Sequence, residues 1–180
     1  EIILIDNNKK FFDHYEILSD KICLVRPSDN LYVNPSWNLG VEKARNKVVA
    51  ILNDDIDFNI NVFDFINEEM LEKHGFIGMH KDNYEMEQDG QYQVDYLQGD
   101  KHFGWGCFMI FNKSIWKNIP GDLKVWYGDN YILFLSDSKI SVLSNLKIET
   151  EMSETSDLKE FDEIKNKDFE NYVCHQNLKV

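Results

Sequence analysis

The chain is poor in cysteine. Its three, Cys23, Cys107 and Cys174, are odd in number, widely spaced and form no Cys-x-x-Cys pair. That excludes a disulfide framework or a zinc knuckle and points to a reducing compartment, the cytoplasm. Long apolar runs are missing too. Nothing approaches the roughly 18–20 residues of a membrane-spanning helix, and no basic n-region with an apolar h-region opens the chain, so no membrane span is expected. Positive charge is scarce: 19 Lys and Arg stand against 32 Asp and Glu, a net charge of −13. This balance repels nucleic acid and anionic membranes over most of the surface. Neither Gly-x-x-x-x-Gly-Lys nor Gly-x-Gly-x-x-Gly occurs. An anionic small ligand would therefore need a cation to hold it rather than a glycine-rich cradle.

What is present fits one domain over 1–180, because 180 residues with 43% hydrophobic content can bury a substantial core. Glu1 runs straight into an apolar segment, from which we expect a further segment upstream. Ile2–Ile5, Ile22–Val25, Val48–Leu52 and Phe76–Met79 are short, unalternated apolar runs. They predict strands buried on both faces of a parallel sheet. Between them lie helical spacings: Phe11, Phe12, Tyr15, Ile17 and Leu18, then Trp37, Val41 and Ala44 behind an Asn34 cap and Pro35. Val62, Phe65, Ile66 and Met70 follow an Asn61 cap. The alternation predicts an α/β fold with a mostly parallel, Rossmann-like sheet flanked by helices over 1–80. From 81 to 148 the pattern changes to a smaller mixed region. Residues 84–96 are polar and aromatic with an Asp89-Gly90 turn signal, which predicts a hairpin or loop. Gly99, Gly104 and Gly106 bracket a flexible stretch before a strand at 107–111 and a short helix from Ser114. Residues 149–180 read as an acidic helical tail.

Three predicted strands end in polar residues: Asp6 with Asn7, Arg26, and the run Asn53-Asp54-Asp55-Ile56-Asp57. Open α/β sheets bind ligands outside the carboxyl ends of their strands. In a parallel sheet these three ends would share one edge, although a strand end is also simply where a polar loop begins. The acidic run asks for more. Three carboxylates within four residues repel one another unless a cation or hydrogen bonds offset them. Hard oxygen donors with no cysteine nearby favour Mg²⁺ or Mn²⁺ over Zn²⁺. Such a cation is what a diphosphate would need here.

At these residues the chain resembles a family. The run Asn30-Leu31, Asn34, Asn38-Leu39-Gly40-Val41, Ala44, Val48-Val49-Ala50-Ile51-Leu52-Asn53-Asp54-Asp55 is similar to the donor half of GT-A glycosyltransferases. The closest likeness is to the large inverting family, family 2-like, with its rhamnosyl and galactosyl transferases. There the last acid of an Asp-x-Asp-type motif binds Mn²⁺ or Mg²⁺, which bridges the diphosphate of a nucleotide-sugar. Asn53-Asp54-Asp55 occupies that position with Asn for the first Asp. Asp55-Ile56-Asp57 is a literal Asp-x-Asp, so Asp55 and Asp57 both stand as metal ligands. The resemblance implies Asp6 against a nucleotide base, with Asn7, Arg26, Asn38, Asn53 and Asp54 completing a donor site for a UDP- or dTDP-type sugar. The family's first strand has no counterpart here. Gly104-Trp105-Gly106-Cys107-Phe108-Met109-Ile110-Phe111 is similar to the family's strand before the acceptor site, and Trp126-Tyr127-Gly128-Asp129-Asn130 to its Trp-Gly-Glu-Asp-type segment. That likeness implies Asp129 as general base. Trp105, Trp126 and Tyr127 would suit an acceptor wall, since flat rings pack on sugars, and equally a core. Where many members carry a metal-binding His, this chain reads Ile148-Glu149-Thr150-Glu151. Glu149, Glu151 and His175 are the remaining third ligands, and His80 and His102 flank the glycine-bracketed stretch.

The expected function is therefore metal-dependent transfer of a sugar from a nucleoside-diphosphate sugar to a hydroxyl acceptor such as a saccharide, with inversion. A catalytically silent nucleotide-sugar or glycan-binding domain is one alternative. A metal-dependent phosphohydrolase is another, but no early nucleophilic Asp with a later Lys stands out.

Overall fold

In chain order the regular elements are β1 (Ile2–Ile5), α1 (Phe11–His14), β2 (Ile22–Val25), α2 (Asn34–Lys43), β3 (Val48–Leu52), β4 (Ile56–Phe58), α3 (Val62–Phe65), α4 (Glu68–His74) and β5 (Phe76–Met79). They continue as β6 (Gln93–Tyr96), β7 (Phe108–Asn112), α5 (Gly128–Leu135), β8 (Ile140–Ser144), β9 (Ile148–Thr150) and α6 (Asp162–Asn177). This computed structural model describes residues 1–178 apart from 15, 17–18, 98–104, 136–138 and 151–158. Tyr15, Ile17, Leu18, Gly99, His102, Gly104 and Glu151 thus lie outside the described residues. The fold is α/β, and two compact units form. One comprises Glu1–Arg45, Asn118–Gly128 and Asp162–Val180, the other Asn46–Lys117 and Asp129–Phe161.

In the first unit β1 and β2 pair in parallel, with Ile2 opposite Ile22 and Ile5 opposite Val25. Helix α2 departs from the predicted cap. Asn34 lies inside the helix and makes no capping bond; its Nδ2 donates instead to the Trp126 carbonyl at 3.0 Å. Its buried Oδ1 faces Gly128, where a Cβ would stand 2.0 Å away, so only glycine fits there. Asn38 bonds Ile119 twice, Nδ2 to the carbonyl at 2.8 Å and Oδ1 from the N–H at 3.0 Å. From the other side α6 holds the same segment. The Asp168 carboxylate, fully buried, accepts the N–H groups of Lys124, Val125 and Trp126 at 2.9, 2.8 and 2.9 Å. Tyr172 stacks on Tyr127 at 5.1 Å. The unit is thus three distant pieces of chain joined by side chains that satisfy backbone groups, as buried amides require.

The second unit is a five-stranded sheet in the order β3-β7-β5-β8-β6 with a separate two-stranded β4-β9 pair, whose Phe58 and Ile148 pack into the same core. The mostly parallel sheet predicted from the apolar runs does not form. Only β5 and β8 are parallel, while β3-β7, β7-β5 and β6-β8 are antiparallel. Of the four runs only β5 is covered on both faces, while β3 leaves Ala50 and Leu52 exposed and β1 and β2 are partly open; an apolar run also carries no information on the direction of its neighbour. Central β5 is buried throughout. Its Ile77 and Met79 join Val62, Ile66, Leu71, Phe108, Ile110, Leu143, Leu146 and Ile148 in one core. Phe76, on the opposite face, meets Phe111 at 4.8 Å, and Phe111 stacks on Trp116 at 5.0 Å. The helix expected from Asn61 to beyond Met70 is two: α3 stops before Ile66, and α4 begins at an Asn67 cap whose side chain accepts the Met70 N–H at 2.9 Å. The predicted helix at Ser114 is a single 3₁₀ turn, and the segment with Asp89-Gly90 leads to β6, which pairs with β8 rather than closing a local hairpin. All three cysteines are free. Among the described residues no helix is long and apolar enough to cross a membrane.

His74, at the end of α4, is buried. The Ser141 hydroxyl gives its one proton to the His74 carbonyl at 3.1 Å, so His74 Nδ1 must donate to Ser141 Oγ, also at 3.1 Å. Burial first, then the charge of Lys73, hold the imidazole below its ordinary value of 6.5; Lys139 acts with them and Asp95 against them. A histidine kept neutral in the fold favours unfolding once the open chain can protonate it. Its contribution is whole above about pH 6.5 and shrinks as pH falls toward the lowered native value. Thermal melts should show a lower midpoint at pH 5.5 than at pH 7.5, and His74→Gln should flatten that difference. An unchanged slope in the variant would remove His74 as its source.

Candidate functional site

The acidic run leaves β3 through a turn at Asp54 and Asp55 and enters β4 at Ile56. Strand alternation turns Ile56 and Phe58 inward, where Phe58 meets Phe108 at 5.1 Å, and turns Asp57 out. Asp57 lies opposite Glu149 on β9. Like charges at such a position destabilise a ladder, and Lys147 offsets them. Lys147 pairs with Glu149; that bond, with the charges of Glu149, Asp57 and Asp89, raises the ammonium above its ordinary value against the opposing effect of burial. Asp89 completes this group. Burial alone would raise its carboxyl, but bonds from the Lys147 N–H, Asn59 and Tyr92 outweigh that and hold it low. Together Asp57, Phe58, Asn59, Asp89, Lys147 and Glu149 line an open recess of about 210 Å³.

Asp55 has different company. Its Oδ2 accepts the Thr150 hydroxyl at 3.1 Å, and its charge reaches Tyr84 and Cys107. So does the charge of Asp129, in the first turn of α5. Tyr84 and Cys107 are bonded to each other, and the Tyr84 hydroxyl also reaches Met79 Sδ at 2.7 Å. Burial, then Cys107, then these two carboxylates push the Tyr84 phenol far above its ordinary value. It remains a proton donor at neutral pH. Burial likewise raises the Cys107 thiol, with Asp55 and Asp129 adding to it and the Tyr84 bond opposing. Asn53, the first residue of the motif, donates to Cys107 Sγ at 3.3 Å, and its N–H pairs with the Cys107 carbonyl at 3.0 Å. One neutral hydrogen-bonded group thus stands within electrostatic reach of both Asp55 and Asp129.

These environments separate the two possible metal registers. Asp57 is already accompanied by an ammonium, whereas Asp55 is exposed and bonded to a hydroxyl. Among the described residues no group of three or more His, Cys, Asp or Glu is arranged to hold a metal. Mg²⁺ ordinarily takes one or two carboxylates together with substrate phosphates and water. Asp55 and Asp57 are exposed carboxylates of the kind such a cation takes, in different surroundings.

The remaining predicted residues are placed as follows. At the parallel carboxyl ends of β1 and β2, Asp6 and Arg26 do come together: Arg26 Nε and the Phe11 N–H both donate to Asp6 Oδ2, at 3.0 and 3.2 Å. The guanidinium lies 4.4 Å over the Phe12 ring. Asn7 is spent within the unit, donating to the Tyr32 carbonyl and Ser36 Oγ and accepting the Leu31 N–H. β3 pairs within the separate five-stranded sheet of the other unit. Trp105 is wholly buried over Gly78, where a Cβ would lie 2.0 Å from the indole. Tyr127 packs on Tyr172 and Phe169, and Trp126 carries Lys165 at 5.8 Å from its ring. His175 bonds Asp122 at 2.9 Å within the first unit. His80 caps the following turn through the Asp82 N–H at 3.2 Å. Sequence reasoning missed Tyr84, Cys107 and Asp168. For Asp168 a signal existed: it falls on the Ile164, Tyr172 stripe of α6, where an apolar residue belongs. No protein-family model matches the chain, and no curated protein matches it.

Proposed function

We propose that the protein is a metal-dependent glycosyltransferase that moves a sugar from a nucleoside-diphosphate sugar to a hydroxyl acceptor, with Asp55 and Asp129 as its chemical pair. The observation that carries this reading is that the charges of Asp55 and Asp129 both act on the partly buried Tyr84–Cys107 pair, to which Asn53 of the same motif is hydrogen-bonded. A bound Mg²⁺ or Mn²⁺ would supply charge neutralisation for a departing diphosphate. Asp129 takes the proton of the acceptor hydroxyl as its oxygen bonds to the anomeric carbon. The bond from that carbon to the diphosphate oxygen breaks, and the electron pair leaves with the nucleotide. A single displacement of this kind inverts the anomeric centre.

Calorimetry tests the cation requirement. Nucleoside diphosphate should bind in Mn²⁺ and not in EDTA. Asp55→Ala should weaken the metal-dependent binding by about 2–3 kcal/mol, the scale of a charged hydrogen bond or somewhat more. Asp57→Ala should be nearly silent, because the Lys147 ammonium lies within electrostatic reach of Asp57 and would compete with a cation there. The reverse ranking of the two variants would move the metal to the later register, and equal affinity in EDTA would remove the cation altogether.

A further inference from the structure

The run Asn53-Asp54-Asp55 crosses a two-residue turn that is pinned at both ends. After the turn, Ile56 pairs with Thr150, whose hydroxyl also donates to Asp55 Oδ2 at 3.1 Å. Before it, Asn53 binds one residue twice. Its N–H donates to the Cys107 carbonyl at 3.0 Å, and its Nδ2 donates to Cys107 Sγ at 3.3 Å. Between these anchors stand only Asp54 and Asp55, both exposed. The direction of the bonds beyond Cys107 explains why residue 53 carries an amide. Met79 Sδ has no proton, and it accepts the Tyr84 hydroxyl at 2.7 Å. That uses the one proton of the phenol. The bond between Tyr84 and Cys107 must then run from the thiol to the phenol oxygen. With its proton committed there, Cys107 Sγ can only accept from residue 53. An amide N–H meets this demand. A carboxylate brings no proton at neutral pH and would draw the thiol away from Tyr84. The chain from Asn53 through Cys107 and Tyr84 thus runs one way and ends on the buried sulfur of Met79.

We infer that Asn53 is a positioning residue: anchored on Cys107, it fixes the turn that presents Asp55, and it acts on a bound donor through that carboxylate rather than as a donor contact itself. The inference rests on the proposed function, in which Asp55 is the ligand of the cation. Asn53 holds the turn from the β3 side and Thr150 from the β9 side, so the carboxylate between them keeps one orientation before any cation arrives. Loss of the Asn53 anchor leaves every cation ligand in place and loosens only the turn.

Calorimetry of the full chain with uridine diphosphate in Mn²⁺ tests this role. Asn53→Ala should weaken binding about tenfold, the upper range for one hydrogen bond. In an Asp55→Ala background the same change should have no further effect, because the carboxylate that Asn53 presents is gone. Cys107→Ala should weaken binding as Asn53→Ala does. Cys107→Ser keeps a proton to give and lone pairs to accept with, and should recover most of the loss. A merely structural role would lower the melting midpoint of Asn53→Ala and leave its loss additive with that of Asp55→Ala. Additive losses, or a Cys107→Ser protein no better than Cys107→Ala, would overturn the inference. A parent that binds no uridine diphosphate in Mn²⁺ would instead overturn the function on which it rests, and this role with it. The hydrogen-bond chain also has a readout that needs no nucleotide. With Cys23→Ser and Cys174→Ser in place, the infrared S–H stretch of Cys107 should move to higher frequency on Tyr84→Phe, which removes the oxygen that the thiol donates to. A band that stays where it was would overturn the chain itself.

Discussion

On the proposed function, Asp129→Asn should retain metal-dependent nucleotide binding and lose sugar transfer by about 10²–10⁴-fold, the usual cost of deleting a general base. The substitution changes little volume. It also keeps an oxygen for the Asn130 N–H, which Asp129 Oδ1 accepts at 2.9 Å, so the start of α5 should stand. What disappears is the ability to take a proton from an acceptor hydroxyl. Initial rates with a labelled nucleotide-sugar, beside calorimetry of the nucleoside diphosphate, separate the two functions. Transfer at the parent rate, or a parent product with retained anomeric configuration, would sink the role assigned to Asp129. A parent that binds nucleotide and never transfers sugar would instead favour the silent binding domain.

The second large effect is on stability. Asp168→Ala strips the acceptor from three consecutive N–H groups, those of Lys124, Val125 and Trp126. Buried donors left without partners cost about 1–3 kcal/mol each, and bonds to a charged acceptor are the stronger kind. Some relaxation toward water is expected, so the loss should be about 3–5 kcal/mol, at the upper end for a single substitution. Asp168→Asn keeps an oxygen and the volume, and should cost distinctly less. Urea melts of both variants give the comparison. An Asp168→Ala protein within 1 kcal/mol of the parent, about the error of ordinary surface changes, would show that those amides find other partners.

The sequence made the strands legible where apolar runs were short and bounded: β1, β2, β3 and β5 fall on the predicted residues. It did not disclose their pairing. β7 enters between β3 and β5 from about sixty residues beyond the one and about thirty beyond the other, and nothing within Val48–Leu52 or Phe76–Met79 encodes so distant a neighbour. Local chemistry failed where tertiary partners outbid it. Asn34 and Asn61 look like caps, yet neither side chain makes a capping bond, and Asn34 serves Trp126 instead. Asn67, unremarked in the sequence, is the cap that forms. In the candidate site the acids were legible as a group. Their division was not, because it depends on Lys147 and Thr150 arriving on and beside β9, about ninety residues downstream.

The Asp168 clamp also bears on the order of events during synthesis. The amides of Lys124, Val125 and Trp126 leave the ribosome some forty residues ahead of the carboxylate that satisfies them. Until α6 emerges, the segment 118–128 can be held by its bonds to Val33, Asn34 and Asn38. The last strand of the sheet containing β5 and β8 ends at Ser144, so that sheet can close earlier, while β1 and β2 belong to the unit that α6 completes. Late, sequence-distant closure is slow and leaves apolar surface waiting. The unit holding β1 and β2 is therefore the one that stays open longest as the chain is made.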